Sequence, residues 1–159
     1  AWETARHLRL SNAEASWLQT MVRRHMDLLP MINQKEPLSR QAIYRYFQKT
    51  GDVGVAIALL SLADTLATYG EDISREQWKA AVHVTRGLLL AWWDLQKAVV
   101  SPELFLNGDD LQSEFGLDPG KQIGRLLEAL REAQAVGQVT NRLEARAFIL
   151  ARIKSNQGG

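Results

Sequence analysis

The residues best placed to do chemistry lie between Leu106 and Ala145, in the run LNGDDLQSEFGLDPGKQIGRLLEALREAQAVGQVTNRLEA. Lys121 and Arg125 stand one turn apart at the start of an expected helix, directly after the turn Pro119-Gly120. They fall on the side opposite Ile123, Leu126, Leu127, Leu130 and Ala133, whose 3–4 spacing marks the buried face. The first N–H groups of a helix have no intrahelical acceptor and carry the positive end of its dipole, so such a terminus binds phosphate. Gly120 and Gly124 remove side chains that would hold a ligand backbone or a neighbouring helix away. Arg142, at the start of the next expected helix, adds a third cation. The same pattern admits a plainer use, with Gly124 permitting close helix packing and the two cations solvated or paired with Glu128 and Glu132.

Other chemistries are thinly represented. Asp64 sits on an apolar helix on the same side as Ile57, Leu60 and Ala67, so burial with a partner such as His25 or an arginine is expected. One carboxylate cannot hold a catalytic metal. The three histidines, His7, His25 and His83, are none of them followed by aspartate. Asp109-Asp110 reads as helix capping and dipole pairing. Neither the P-loop nor the dinucleotide glycine spacing occurs in 116–124. Zero cysteines exclude disulfides and thiol catalysis. Of the five tryptophans, Trp17 fits an inward helix position. Adjacent Trp92 and Trp93 cannot share a face, so one packs inward while the other lies near the surface.

The elements that position these residues read as helices throughout, with no sustained strand alternation. In the tail, Asn107-Gly108 forms a turn, 109–115 a short helix and Gly116 its stop. Asp118-Pro119 then reads as an N-cap with proline at the first helical position. Gly137 ends that helix, and Asn141 to Glu144 opens the next as a capping box. Upstream, Ser11-x-x-Glu14 opens a helix turning Trp17, Leu18, Met21 and Val22 inward. Pro30 and Pro37 bracket a loop. Ser39 caps a helix with Ile43, Tyr46 and Phe47 inward, stopped by Gly51. The run 53–69, apolar nearly all round, predicts a central buried helix, and Ser74-x-x-Gln77 starts a long helix that ends before Ser101-Pro102. The fold expected is all-α: a helical bundle body over 1–100, a small helical tail over 101–154 and a disordered end over 155–159. The helix-like opening without an initiator methionine is expected of a piece of a longer protein.

The pattern Leu106-x-Gly108-x-Asp110-Leu111, Gly116-Leu117-x-Pro119-Gly120-x-x-Ile123-Gly124, Ala133-Gln134-x-x-Gly137-x-Val139 closely resembles the C-terminal region of bacterial tRNA nucleotidyltransferases, the CCA-adding and poly(A)-polymerase-like enzymes. Further upstream, 8–14 and 22–26 resemble the later part of the HD-type domain of many members. The stretch Ser61-Leu62-Ala63-Asp64-Thr65 resembles the segment carrying that domain's last metal-binding aspartate, which makes Asp64 the remnant of a metal site. The resemblance implies an all-helical fragment and a tRNA substrate; Lys121, Arg125 and Arg142, read from the helix starts, are the residues expected to contact that tRNA or another RNA backbone. It implies a catalytic head elsewhere in the same polypeptide, which would supply the Mg²⁺-binding carboxylates. No catalytic site is complete here and no cofactor is expected in this chain. A truncated metal-dependent HD-type phosphohydrolase is the alternative, which a His-Asp pair upstream would favour.

Composition agrees with an ordinary globular protein: 159 residues, 46% hydrophobic and 23% charged. The net charge of +1 conceals an uneven distribution. Residues 1–49 carry eight bases against four acids, 50–120 four against eleven, and 121–159 seven against three. Basic ends around an acidic middle suit a chain that presents selected surfaces to a polyanion. The longest apolar run, 53–63, is about half of the roughly 20 residues that span a bilayer. A cytoplasmic protein without a membrane partner is expected.

Overall fold

The computed structural model describes residues 2–34 and 37–157, and the side chains among them except those of 156 and 157. Two compact units divide the chain, Ala1–Asp94 and Leu95–Gly159. Among the described residues there are helices and turns and no strands, the all-α architecture expected.

In the first unit, helices α1 (Trp2–His7), α2 (Asn12–Arg24), α3 (Leu29–Asn33), α4 (Arg40–Thr50), α5 (Val53–Tyr69) and α6 (Arg75–Asp94) follow one another through short turns. Their starts are those the sequence marks. Ser11 and Glu14 form a reciprocal capping box, and hydrogen bonds from Ser11 hold the Glu14 carboxyl below its ordinary pKa. The Ser39 hydroxyl accepts from the Ala42 N–H at 3.1 Å. Ser74 and Gln77 cap each other at the start of α6.

The core joins α4, α5 and α6. From α4 come Ile43, Tyr44, Tyr46 and Phe47; Phe47 meets Trp92 with ring centroids 5.1 Å apart. Trp93, its neighbour, is 65% exposed. Gly54 lets α5 approach α4: a Cβ there would lie 2.5 Å from Thr50 Oγ1 and 2.9 Å from Phe47 Cε1. The Tyr46 hydroxyl donates to the Gly54 carbonyl at 2.7 Å, and burial pushes its pKa upward, with Asp27 adding to the effect.

Three expectations for this unit are corrected. Helix α5 is not buried all round: Val53, Gly54, Ile57, Ala58 and Ser61 are covered, while Leu59, Leu60, Leu66 and Tyr69 are exposed. An all-apolar helix has no periodicity to say which face is covered, and in this chain one face is. With the 3₁₀ turn that extends it, Val53–Asp72 has the length and composition of a bilayer-crossing helix, which the shorter run counted from sequence concealed; here its buried side packs on α6, α2 and α4. On α2, Trp17 and Val22 are exposed and small Ala15 is the buried residue. Pro30 lies within α3 rather than at a loop edge, in the first turn, where its missing N–H removes no helical bond. Residues 35 and 36 of the expected loop lie outside the described residues.

The second unit begins at Leu95, with a π-helical turn, Gln96–Val100, whose Val99 and Val100 are buried. That turn packs on α8, so the residues 95–100 that sequence reading assigned to the body belong here. Helices α7 (Gly108–Phe115), α8 (Lys121–Ala135) and α9 (Arg142–Gln157) complete the unit. Leu106, Leu111, Ile123, Leu126, Leu130, Ala133, Val139, Ala145 and Ile149 form one core, in which each fully buried Leu or Ile contributes about 1.5–3 kcal/mol. Residues 155–157, expected to be disordered, continue α9; residues 158 and 159 lie outside the described residues.

Candidate nucleic-acid interface

The scaffold of the second unit explains most of its sequence motif. Asn107 accepts from the Asp110 N–H at 2.9 Å, and the Asp110 carboxylate accepts from the Asn107 N–H at 2.7 Å. Gly116 ends α7 in the left-handed conformation, φ 64° and ψ 30°, where a side chain would be strained. Gln134, 8% exposed, reaches back across 31 residues. Its Nε2 donates to the Glu103 carbonyl at 2.7 Å and its Oε1 accepts from the Phe105 N–H at 3.1 Å. The loop before α7 is thereby clamped to α8.

Two starts differ in detail from the sequence reading. The N-cap of α8 is Gly120, not Asp118, and no side chain caps it. Pro119 therefore precedes the helix, whose open end leaves its first amides without a side-chain acceptor. At α9, Asn141 accepts from the Glu144 N–H at 2.9 Å, but the Glu144 carboxylate turns to Thr140, meeting its N–H at 2.7 Å and its hydroxyl at 2.9 Å. Those bonds hold the Glu144 pKa down.

The three cations assigned to RNA stand in two different environments. Lys121 and Arg125 are exposed on the first two turns of α8. No hydrogen bond or ion pair holds either of them among the described residues, and they do not pair with Glu128, which bonds Arg131 at 3.2 Å. Gly124 between them is exposed, and a Cβ there would meet nothing within 4 Å. Close helix packing in this chain is therefore not its use. Arg142 serves instead as a tie. Its guanidinium donates to the Phe105 carbonyl at 3.0 Å, to Asp110 at 2.7 Å and to Glu114 at 2.8 Å. The Arg142 bond, then the Asn107 amide, hold the Asp110 carboxyl below its usual value, and the two acids raise the arginine's own pKa. Arg146 joins the same cluster through Glu114 at 3.0 Å.

Pairing thus separates the charges of this unit. Lys97, Arg131, Arg142 and Arg146 each face an acid. Lys121, Arg125, Arg152 and Lys154 face none among the described residues. Helices α8 and α9 pack together, and Arg125 and Arg152 line one groove of about 530 Å³ with Gln122, Leu126 and Ala129. The start of α8 and the end of α9 therefore share a cationic end. Arg152 was missed in sequence because it lies outside the motif and because α9 has little apolar periodicity to orient it.

Asp64 is exposed on α5 rather than buried. His25, its expected partner, instead bonds the Val22 carbonyl through Nδ1 at 2.7 Å. Among the described residues no group of three His, Cys, Asp or Glu could hold a metal ion. The described residues do not fit the Mg²⁺ site implied for the longer enzymes.

No solved structure matches the chain. The CC-adding tRNA nucleotidyltransferase of Thermus thermophilus is 36% identical over 130 residues, 82% of this chain and 26% of that protein. The A-adding tRNA nucleotidyltransferase of Deinococcus radiodurans is 32% identical over 142 residues, 89% of this chain and 30% of that protein. A CC-adding enzyme of Geobacter sulfurreducens is 46% identical over 46 residues, 29% of this chain and 11% of that protein. The chain thus spans less than a third of the length of the curated relatives it matches. The profile of the family described as tRNA nucleotidyltransferase domain 2 covers residues 3–149. The chain belongs to that tRNA nucleotidyltransferase family, in the C-terminal region its turn-and-helix motif resembles.

Proposed function

We propose that this chain is a tRNA-binding region of a tRNA nucleotidyltransferase, and that a catalytic head elsewhere in the same polypeptide, with its Mg²⁺, performs nucleotide transfer. The observation that carries the reading is the pair Lys121 and Arg125. Both are exposed beside the uncapped start of α8, and neither is neutralised by a carboxylate among the described residues. A cation without an acidic partner loses no ion pair when it meets a phosphate, and the open helix start adds N–H donors and a favourable dipole. Names of the relatives supply the nature of the polyanion, since both longer matches act on tRNA. Arg142 acts in this reading as a positioning residue, holding the loop before α7 and the start of α9.

Titration of labelled tRNA against the full chain at several salt concentrations tests the proposal. Lys121→Ala/Arg125→Ala should weaken binding, and the slope of log K against log salt should fall by about one per charge removed. Equal affinities and slopes for variant and wild type would refute it.

A further inference from the structure

We infer that Arg152, with Arg125 and Gln122, forms a clamp for an RNA phosphodiester in the groove between α8 and α9. The inference rests on the proposed RNA binding and extends it to a residue outside the motif. Four observations carry it. The groove has room, about 530 Å³, for a phosphate group and its flanking sugar, and Gln122, Arg125 and Arg152 supply its polar lining. Each arginine enters from a different helix, so the two guanidinium groups can approach one anion from two sides. Among the described residues no carboxylate lines the groove.

The fourth observation concerns how Arg152 is held. Its Cζ lies 5.1 Å from the centroid of the Phe148 ring, one helical turn back. Phe148 in turn packs against the core of this unit. A guanidinium over an aromatic face keeps its edge N–H groups outward and free, because the ring takes the face and not the donors. The ring contact restrains Arg152 before any ligand arrives, so less side-chain freedom is lost on binding than for an unsupported arginine. A phosphate accepts two parallel N–H bonds from such a fork, which a lysine cannot supply. Gln122, one turn before Leu126 at the groove wall, offers a neutral amide donor to the same anion. The contacts lie on the phosphate and not on bases, so the clamp is indifferent to sequence.

The experiment uses the full chain, fluorescently labelled tRNA and four variants: Arg152→Ala, Arg152→Lys, Lys121→Ala/Arg125→Ala and Lys97→Ala. Circular dichroism melting confirms that each is folded. Arg152→Ala should bind roughly tenfold more weakly, the effect of losing a charge-assisted hydrogen-bonded contact, and its salt slope should fall by about one. Arg152→Lys should keep the salt slope and lose part of the affinity, because the charge remains while the fork and its ring support do not. Lys97→Ala removes an exposed cation outside the groove and should leave binding within about twofold, as for a contact that is not made. If Lys121→Ala/Arg125→Ala weakens binding while Arg152→Ala matches wild type at every salt concentration, the clamp is overturned and the broader RNA-binding reading stands. If neither affects binding, or wild type does not bind tRNA, both fall. A loss in Lys97→Ala equal to that in Arg152→Ala would also overturn the clamp, since it would reduce the effect to net charge.

Discussion

Replacing Gln134 by alanine should destabilise the second unit by a predictable amount. The side chain makes two hydrogen bonds, to the Glu103 carbonyl at 2.7 Å and from the Phe105 N–H at 3.1 Å. At about 0.5–1.5 kcal/mol net each, their loss costs about 1–3 kcal/mol. A unit spanning Leu95–Gly159 has a total stability of roughly 3–10 kcal/mol at typical per-residue values. The variant therefore loses a substantial fraction, equivalent to a fall of roughly 5–20 °C in the melting temperature of a domain this size. The assay is unusually clean, because every tryptophan and tyrosine of the chain lies between residues 2 and 93. Intrinsic fluorescence reports the first unit, whereas helical circular dichroism reports both. Gln134→Ala should move the dichroism transition far more than the fluorescence transition. Gln134→Glu keeps the acceptor for Phe105 but sets a carboxylate against the Glu103 carbonyl oxygen. It should be worse than alanine at neutral pH and should recover in acid, where the protonated carboxyl can donate again. A Gln134→Ala protein within about 0.3 kcal/mol of wild type would refute the clamp, since that is the scale of an unremarkable surface change.

Three further outcomes follow from the same geometry. Asp110 has a folded-state pKa depressed by Arg142 and the Asn107 amide, so its stabilisation is complete above the unfolded carboxylate's value near 3.9 and is lost as pH falls through the lower folded value. Urea midpoints measured from pH 6 down to 2 should decline less steeply in Asp110→Asn than in wild type. Asp64→Asn, at an exposed position, should change stability by under about 0.5 kcal/mol, and manganese should not raise the melting temperature of either protein. The chain alone, incubated with tRNA lacking its 3′ end, labelled nucleotide and magnesium, should incorporate no label above a no-protein control.

What was legible in the sequence followed from short-range rules. Ser11, Ser39 and Ser74 stand where their side chains meet an N–H three residues on, so three helix starts could be read directly; Asn107, read as a turn, caps α7 in the same way. The 3–4 spacing through Ile123, Leu126 and Leu130 gave the buried face of α8, and by difference the exposed face of Lys121 and Arg125. Long-range facts were not legible. Arg142 looked like a free cation because its partners, Asp110 and Glu114, lie about 30 residues away and are joined to it only by the fold. Gln134 looked like one motif letter among several until its contacts with Glu103 and Phe105 were seen. For α5 the sequence carried the apolar content but no periodicity, so the covered face could not be named.

The motif that identifies the family and the surface proposed to bind RNA are therefore largely different sets of residues. Leu106, Leu111, Ile123, Gln134 and Val139 are core or clamp, and Gly116 is a helix stop. Even Asp110, the motif's charged member, is consumed with Arg142 inside the scaffold. The positions proposed to meet a polyanion are those left without an acidic partner among the described residues: Lys121 and Arg125 just after the Pro119-Gly120 turn, and Arg152 near the other end of the chain. The acids explain why the face remains cationic. Asp110 and Glu114 are bonded to α9, Glu144 to Thr140 and Glu128 to Arg131. A substitution that frees one of them should act on RNA affinity from a distance. Arg142→Ala removes the arginine partner of Asp110 and leaves Glu114 to Arg146 alone, and it should weaken tRNA binding less than Arg152→Ala does while lowering the stability of the unit more. The opposite order, with Arg142 dominating affinity in a protein of unchanged stability, would return Arg142 to the RNA surface and remove it from the scaffold.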